Sequence, residues 1–97
     1  MGSYGARLLQ ARLVFRGRVQ GVGFRETVRL HADSCGLSGW VRNEHDGTVS
    51  AVLEGPPEAI QELVSRIHAS FGDGLEGIQR QDGLPEHELE GFRILRD

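Results

Sequence analysis

The chain has 97 residues, of which 38% are hydrophobic and 26% charged, and its formal net charge is −3. This length and composition predict a single globular domain. The negative charge disfavours sequence-independent nucleic-acid binding, which requires a basic surface, and no apolar run approaches the roughly 20 residues of a membrane span. Cys35 is the only cysteine, so an internal disulfide is excluded and a cytoplasmic location is expected.

We expect residues 1–6 to be a flexible leader and residues 7–97 to form the one domain. Its first element is a strand over residues 9–15, where apolar and polar residues alternate. A helix follows, because apolar residues at 24, 28, 32 and 35 recur at helical spacing and Gly36 can end the helix.

The next segment is a predicted hairpin, with strands over about 39–44 and 48–54 and an Asp46-Gly47 turn. Pro56-Pro57 can begin a second helix, because proline is tolerated in a first turn. The apolar stripe of this helix includes residues 60, 63, 64, 67 and 71 and stops at the GDG of residues 72–74. After it we expect a weak edge strand at 75–81, a polar loop at 82–91 and a last strand at 92–96.

This order of elements, β-α-β-β-α-β with one extra strand near the end, predicts an α+β, ferredoxin-like sandwich. Two helices would pack on one face of a mostly antiparallel sheet of four to five strands. In this plan the two strands that flank the first helix run parallel, with the third strand between them. The strand ends near Gly17 and near Asn43 should therefore emerge at the same rim of the sheet.

The stretch GRVQGVGFRE, residues 17–26, opens the first helix without a Ser, Thr, Asp or Asn cap. Its three glycines allow a tight turn whose N–H groups point into one concavity, and the end of a helix adds positive potential there. Arg25 is unfavourable at such an end unless an anion lies beside it. The pattern therefore indicates an anion site, and a glycine-rich turn with a solvated arginine is the alternative that it leaves open.

The charges around this stretch favour a small anion over a polymer, because the chain as a whole is acidic. The local basic residues are Arg12, Arg16, Arg18, Arg25 and Arg29. Gly21-x-Gly23 lacks the third glycine of a dinucleotide fingerprint, and no Gly-Lys-Ser/Thr follows it. Dinucleotide and triphosphate ligands are therefore disfavoured.

The stretches GRVQGVGFR and GLSGWVRNEHDGTV, together with the closing GFRIL, closely resemble the acylphosphatase family. Members of this family are small hydrolases of carboxylic-phosphoric anhydrides. The resemblance covers residues 11–95 and implies an enzyme that acts on acyl phosphates without a metal or organic cofactor. We expect inorganic phosphate to be both product and inhibitor, and we expect a monomer without nucleic-acid or membrane partners.

The resemblance also implies roles for particular residues. The catalytic arginine of the family falls on Arg25 and its catalytic asparagine on Asn43. Glu26 and Thr27 stand where many relatives carry aromatic or apolar residues, which leaves substrate preference open. The phosphate-binding backbone of the family falls on Arg18, Val19, Gln20, Gly21, Val22, Gly23 and Phe24.

The expected chemistry needs few side chains. The carboxylate leaving group departs without protonation, and phosphoryl transfer depends mainly on positioning and charge neutralisation. Arg25 and the phosphate-binding backbone of residues 18–24, the cradle, would hold the equatorial oxygens. Asn43, with one acceptor and two donors, would orient the attacking water. A local turn bond is the alternative role for Asn43.

Three other features have structural and functional interpretations. His31 and Cys35 have a spacing that can chelate zinc, but no further ligands are evident and a buried structural thiol is favoured. Val41 stands where a cysteine phosphatase would need its arginine. Trp40 could be a ligand platform, although packing in the core is favoured.

Two other functions compete with the hydrolase. One is a non-catalytic phosphate-binding or regulatory module, because the ferredoxin-like plan also serves sensing and RNA-binding domains. An RNA reader needs exposed aromatic residues on a basic sheet face, and alternation places Phe15 inward. The other is a relative of the acylphosphatase domain that begins a large hydrogenase-maturation protein, which we disfavour on chain length.

Overall fold

A computed structural model describes residues 8–85 and 89–96. Within them it contains two α-helices, which are α1 (Phe24–Ser34) and α2 (Pro57–Phe71), and a short 3-10 turn, Gly72–Gly74. The described strands are β1 (Leu9–Gly17), β2 (Ser38–Asn43), β3 (Val49–Gly55), β4 (Leu75–Gly83) and β5 (Phe92–Ile94).

The five described strands form one sheet in the order β4-β1-β3-β2-β5. β3 lies between β1 and β2 and is antiparallel to both, so the strands that flank α1 run parallel as predicted. β4 is the predicted edge strand beside β1, and β5 adds a parallel strand beside β2 at the other edge. Both helices pack on one face of this sheet, and the ferredoxin-like fold is confirmed.

The core lies between the helices and that face of the sheet. The alternation predicted for β1 is confirmed, because its inward residues Ala11, Leu13 and Phe15 are buried. The helical stripes are confirmed as well. α1 buries Phe24, Val28 and Ala32, and α2 buries Ile60, Leu63 and Ile67.

Trp40 does not pack in this core, so that prediction was wrong. Its neighbours Gly39 and Val41 in β2 are the buried residues, and Trp40 is only half-buried on the opposite face of the sheet. There it lies opposite Val52 in the register with β3, and the guanidinium of Arg42 lies 5.1 Å from its ring centroid. The reason is the alternation of a strand, which allows either Trp40 or Val41 to face inward but not both.

Cys35 follows α1 and is half-buried against the core, and its backbone N–H donates to the carbonyl oxygen of His31. In the described part of the chain no three His, Cys, Asp or Glu side chains are grouped as metal ligands. None of the described helices is long and apolar enough to cross a membrane. The expected leader, residues 1–6, and residues 86–88 of the predicted polar loop lie outside the described residues.

Candidate active site

The ends of β1 and β2 lie at the same rim of the sheet, with the start of β3 between them. Phe15 of β1 and Asn43 of β2 are both register partners of Val49 in β3. Register partners point to the same face, and Phe15 and Val49 are buried in the core. Asn43 therefore lies on the helix-covered side of the sheet, at the same rim as the segment that leads from β1 into α1.

That segment is fixed at its base by a close approach of two backbones. The pairing of β1 with β4 shifts register between Arg16 and Gly17, and Gly17 has φ 123°. The next residue, Arg18, donates its backbone N–H to the carbonyl oxygen of Gly74 over 2.7 Å. The chain thereby leaves the sheet at the end of β1 and turns towards the start of α1.

Glycine conformations shape the turn itself. Gly21 and Gly23 have φ 78° and 77°, in the left-handed region that glycine adopts without strain. Gly23 is the N-cap of α1 and offers no side chain to the first N–H groups of the helix. Its carbonyl oxygen accepts bonds from the backbone N–H and the hydroxyl of Thr27, each over 3.0 Å. The bare helix start predicted from the sequence is therefore present.

The predicted cradle divides into engaged and free donors. The N–H of Arg18 is bound to Gly74, and that of Val19 donates to the carbonyl oxygen of Gly17 over 3.0 Å. By contrast, the N–H groups from Gln20 to Phe24 have no backbone acceptor among residues 8–85 and 89–96. Five consecutive donors at the positive end of a helix form a site suited to an anion.

A cavity of about 150 Å³ lies at this turn, and three of the five residues with free N–H groups, Gly21, Gly23 and Phe24, line it. Arg25 is half-buried in its wall, and its side chain makes no hydrogen bond or ion pair within the described residues. Asn43 is not among the lining residues of this cavity. The lining residues are Val19, Gly21, Gly23, Phe24, Arg25, Glu26, Ile94 and Arg96.

Glu26 is the acidic residue in this wall, and its charge is already compensated. The guanidinium of Arg29 donates to both of its carboxylate oxygens, over 3.3 and 2.5 Å. This bond holds the pKa of Glu26 below its ordinary value, and Arg96 lowers it further. Glu26 therefore does not neutralise Arg25 through an ion pair.

The basic residues that cluster in the sequence do not form one group in space. Arg12 contributes to a separate, larger cavity of about 570 Å³ on the open face of the sheet, beside Trp40. Arg29 is bound to Glu26 and to Asp33. Of the five arginines, only Arg25 lines the cavity at the glycine turn. The open-face cavity contains neither Arg25 nor Asn43, so the smaller cavity is the candidate site.

Asn43 carries an unusual polar atom. Its Oδ1 is buried, and it is the one such side-chain atom in the described residues without a hydrogen-bond partner. Buried polar atoms are nearly always hydrogen-bonded, so a lone acceptor requires an explanation such as a bound water or a catalytic role. A free Oδ1 is also not engaged in the local turn bond that was the alternative for Asn43.

The turn after Asn43 is held by its own hydrogen bonds. The N–H of Glu44 donates to the carbonyl oxygen of Thr48 over 2.9 Å. The carboxylate of Asp46 accepts from the backbone N–H and the hydroxyl of Thr48, and both bonds lower the pKa of Asp46. The Ser50 hydroxyl and Arg42 likewise lower the pKa of Glu44.

Two features of the site were not predicted from the sequence. The side chain of Gln20, expected only as a backbone donor, donates to the carbonyl oxygens of Glu44 and Thr48. Arg96 brings a second cation to the cavity wall. β5 runs parallel to β2 and so ends at the same rim as Asn43, a pairing that the sequence pattern did not specify.

The chain is similar to known proteins of one family. The acylphosphatase family model matches residues 11–94. An acylphosphatase of Thiobacillus denitrificans is 46% identical over 86 residues, which cover 88% of this chain and 94% of the relative. One of Thermococcus kodakarensis is 43% identical over 89 residues, covering 90% and 96%.

The fold agrees with that result. The crystal structure of an acylphosphatase from Bacillus subtilis superposes with a TM-score of 0.84 at 38% identity. The superposition covers 90% of this chain and 98% of the Bacillus chain. The chain therefore belongs to the acylphosphatase family, whose members are hydrolases of acyl phosphates.

Proposed function

We propose that the chain hydrolyses acyl phosphates to a carboxylate and inorganic phosphate, with Arg25 and the backbone of Gln20–Phe24 holding the phosphoryl group and Asn43 orienting water. The observation that carries this proposal is the pairing of two unsatisfied groups at one rim. The N–H groups of Gln20–Phe24, which lead into α1, have no backbone acceptor among the described residues. Asn43, whose buried Oδ1 has no partner there, ends β2 one residue before Glu44, to which the Gln20 side chain is bonded. The donors suit the substrate's phosphoryl oxygens, and the acceptor suits a water hydrogen.

The phosphoryl group is held by positive charge and by hydrogen-bond donors of fixed direction. The N–H groups point at its oxygens from one side, and the helix end adds a positive potential. Arg25 supplies a planar fork whose two N–H bonds fit two oxygens at once. Because the negative charge spreads over the equatorial oxygens during transfer, these fixed donors stabilise the transition state more than the substrate.

Water attacks from the side of Asn43. Its Oδ1 accepts one hydrogen of the water, which leaves a lone pair of the water oxygen free to form the new P–O bond. The P–O bond to the acyl group breaks, and the electron pair leaves on the carboxylate. The carboxylate is a stable anion and needs no general acid, and a phosphoryl oxygen of the substrate takes the proton of the water. This scheme requires no cofactor.

The proposal extends to the setting of the enzyme. We place it in the cytoplasm because its only cysteine, Cys35, is a free thiol packed against the core. It would act as a monomer on small acyl phosphates, without nucleic-acid or membrane partners. Inorganic phosphate should compete with substrate, since the free donors recognise the tetrahedral group rather than the acyl chain.

A phosphate-binding module without catalysis is the competing function. It would use the cradle and Arg25 equally well. It would have no need for Asn43 to keep a buried oxygen without a partner, because such an atom costs stability unless it is used. The free Oδ1 therefore favours hydrolysis.

The test is release of inorganic phosphate from a synthetic acyl phosphate such as benzoyl phosphate, with and without EDTA. We expect turnover in both conditions and competitive inhibition by added phosphate. Binding of phosphate without turnover would favour the module. Loss of turnover in EDTA that a divalent metal restores would contradict the cofactor-free scheme, and purely noncompetitive inhibition would place the anion site elsewhere.

A further inference from the structure

The side chain of Gln20 connects the two halves of the proposed site. Its backbone N–H is the first free donor of the cradle. Its side-chain Nε2 donates to the carbonyl oxygen of Glu44 over 2.9 Å and to that of Thr48 over 2.8 Å. These acceptors are 24 and 28 residues away in the sequence, so the two bonds hold together segments that are distant in the chain.

The two acceptors are the residues that close the β2–β3 turn. Glu44 directly follows Asn43, and Thr48 directly precedes Val49, the register partner of Asn43. Glu44 and Thr48 are also bonded to each other through the N–H of Glu44. One amide group therefore ties the cradle to both ends of the turn that follows Asn43.

The distance between cradle and turn is critical for the chemistry. The cradle fixes the phosphorus atom, and Asn43 fixes the attacking water, but neither sets its position relative to the other. In-line attack depends on that relative position, and a displacement of about 1 Å can cost about a hundredfold in rate. The two Gln20 bonds are a direct polar connection between these two parts.

The residue type fits this task. A primary amide carries two N–H bonds on one planar nitrogen, which can meet two carbonyl oxygens at once. An ionised glutamate at this position would be an acceptor only and would face two acceptors. Methionine has nearly the same length and shape but donates no hydrogen bond, so Gln20→Met removes the two bonds with little change in volume.

We propose that Gln20 is a positioning residue, whose side chain sets the distance between the phosphate cradle and the Asn43-bound water. This inference rests on the proposed function, because it assigns Gln20 a role through Asn43. Gln20 does not act on the reacting atoms through its side chain. Its effect should therefore appear in turnover and depend on the presence of Asn43.

The experiment is a double-mutant cycle of Gln20→Met and Asn43→Ala, with kcat and the phosphate inhibition constant measured for each protein. We expect Gln20→Met to lower kcat by about 10- to 100-fold, since the displaced water attacks poorly. The phosphate inhibition constant should stay within about threefold, because the backbone donors and Arg25 are retained. In the Asn43→Ala background, Gln20→Met should cost less than about threefold, because no oriented water remains to be displaced.

Gln10→Met is the matched control. This substitution also removes a half-buried side-chain hydrogen bond, the one from Gln10 to Glu54 over 2.8 Å, but Gln10 lies near the opposite end of β1. We expect its kcat to be unchanged. Circular dichroism and urea unfolding compare the two variants, and if Gln20→Met does not fold, Gln20→Asn, which keeps the amide but shortens its reach, takes its place in the cycle.

The outcomes separate the two proposals. Normal kcat in the Gln20 variant, or losses that multiply in the double variant, would overturn the positioning role while Asn43→Ala still showed its own loss. If the phosphate inhibition constant rose as much as kcat fell, the Gln20 side chain would support phosphate binding by the cradle and not the position of the water. Normal kcat in Asn43→Ala alone would overturn the water role of the proposed function, and the positioning role with it.

Discussion

Gly17 and Gly74 approach so closely that a Cβ built on Gly17 would lie 2.4 Å from the carbonyl oxygen of Gly74. The same Cβ would lie 2.7 Å from the backbone nitrogen of Glu76, and φ at Gly17 is 123°. Both obstacles are backbone atoms, which cannot rotate away as a side chain can. This approach also brings the carbonyl oxygen of Gly74 to the N–H of Arg18, so it fixes the base of the cradle.

We therefore expect Gly17→Ala to lower the free energy of unfolding by about 3 kcal/mol, from backbone strain and a forced shift of the strand edge. Urea unfolding measures this loss. Gly83→Ala is the control, because no atom lies within 4 Å of its Cβ and its φ is not positive. The control should change stability by less than about 0.5 kcal/mol. Equal stability of the two variants would show that the chain relaxes around Gly17.

Arg96 should contribute to anion affinity without being required for turnover. It lines the cavity with Arg25 but is exposed at the end of the chain. Arg96→Ala should raise the phosphate inhibition constant a few-fold at low salt, and the effect should shrink at high salt because exposed charges are screened. Arg93→Ala is the matched control, since Arg93 is exposed in β5 but does not line this cavity. If both variants raised the phosphate inhibition constant equally, the effect would come from the overall positive charge of this region and not from a contact between Arg96 and the anion.

The turn that follows Asn43 should be sensitive to acid. Its Asp46 has a pKa lowered by the bonds from Thr48, so the folded state binds this proton less readily than the unfolded state. The resulting stability is present above the ordinary pKa of 3.8 and is lost as the pH falls through the lowered value. Asp46→Asn keeps an acceptor oxygen but does not titrate there.

We expect the stability of the unmodified chain to fall more steeply than that of Asp46→Asn between about pH 5 and pH 2. Urea unfolding at a series of pH values gives the slope of the unfolding free energy against pH for both proteins. Parallel slopes would show that the Thr48 bonds do not favour the charged form of Asp46.

The sequence predicted most of the fold because its elements bury one face each. Ala11, Leu13 and Phe15 alternate in β1, and the stripes of α1 and α2 recur at helical spacing. These patterns fix which side of each element faces the core. The order of the strands and helices along the chain then allows few topologies, and the structure has the ferredoxin-like one.

Trp40 shows where local reasoning failed. Residues 39, 41 and 43 of β2 share one face, and residues 40 and 42 share the other. The expectation that Trp40 packs inward would have turned Val41 and Asn43 away from the core. Burial of Gly39 and Val41 shows that the odd-numbered residues face the helices. Trp40 therefore lies on the open face of the sheet.

The contacts of Gln20 and Arg96 were beyond local reasoning for a different reason. Each depends on where distant segments meet, which hydrophobic periodicity does not specify. The parallel pairing of β5 with β2, which brings Arg96 to the rim, required the strand order to be known. Backbone donors were predictable from glycine and helix chemistry, but their division into engaged and free ones depended on Gly74, more than 50 residues away.

Arg25 should be required for both binding and turnover. Its guanidinium would contact the phosphoryl group before and during the reaction, so Arg25→Ala should raise the phosphate inhibition constant and lower kcat. Arg25→Lys should recover little, because an ammonium group cannot make the two-pronged contact. Arg66→Ala is the control, since Arg66 pairs with Glu62 on the surface of α2. Full activity of Arg25→Lys would contradict the forked contact.

The most direct test of the central claim is a phosphate titration of Asn43→Ala beside its steady-state kinetics, with circular dichroism as the folding control and Ser38→Ala, in the same strand, as the control variant. The account predicts phosphate affinity close to that of the unmodified chain and a kcat at least about a hundredfold lower, or about 3 kcal/mol of lost transition-state stabilisation. Near-normal turnover in Asn43→Ala, while Arg25→Ala loses it, would contradict the water-positioning role of Asn43.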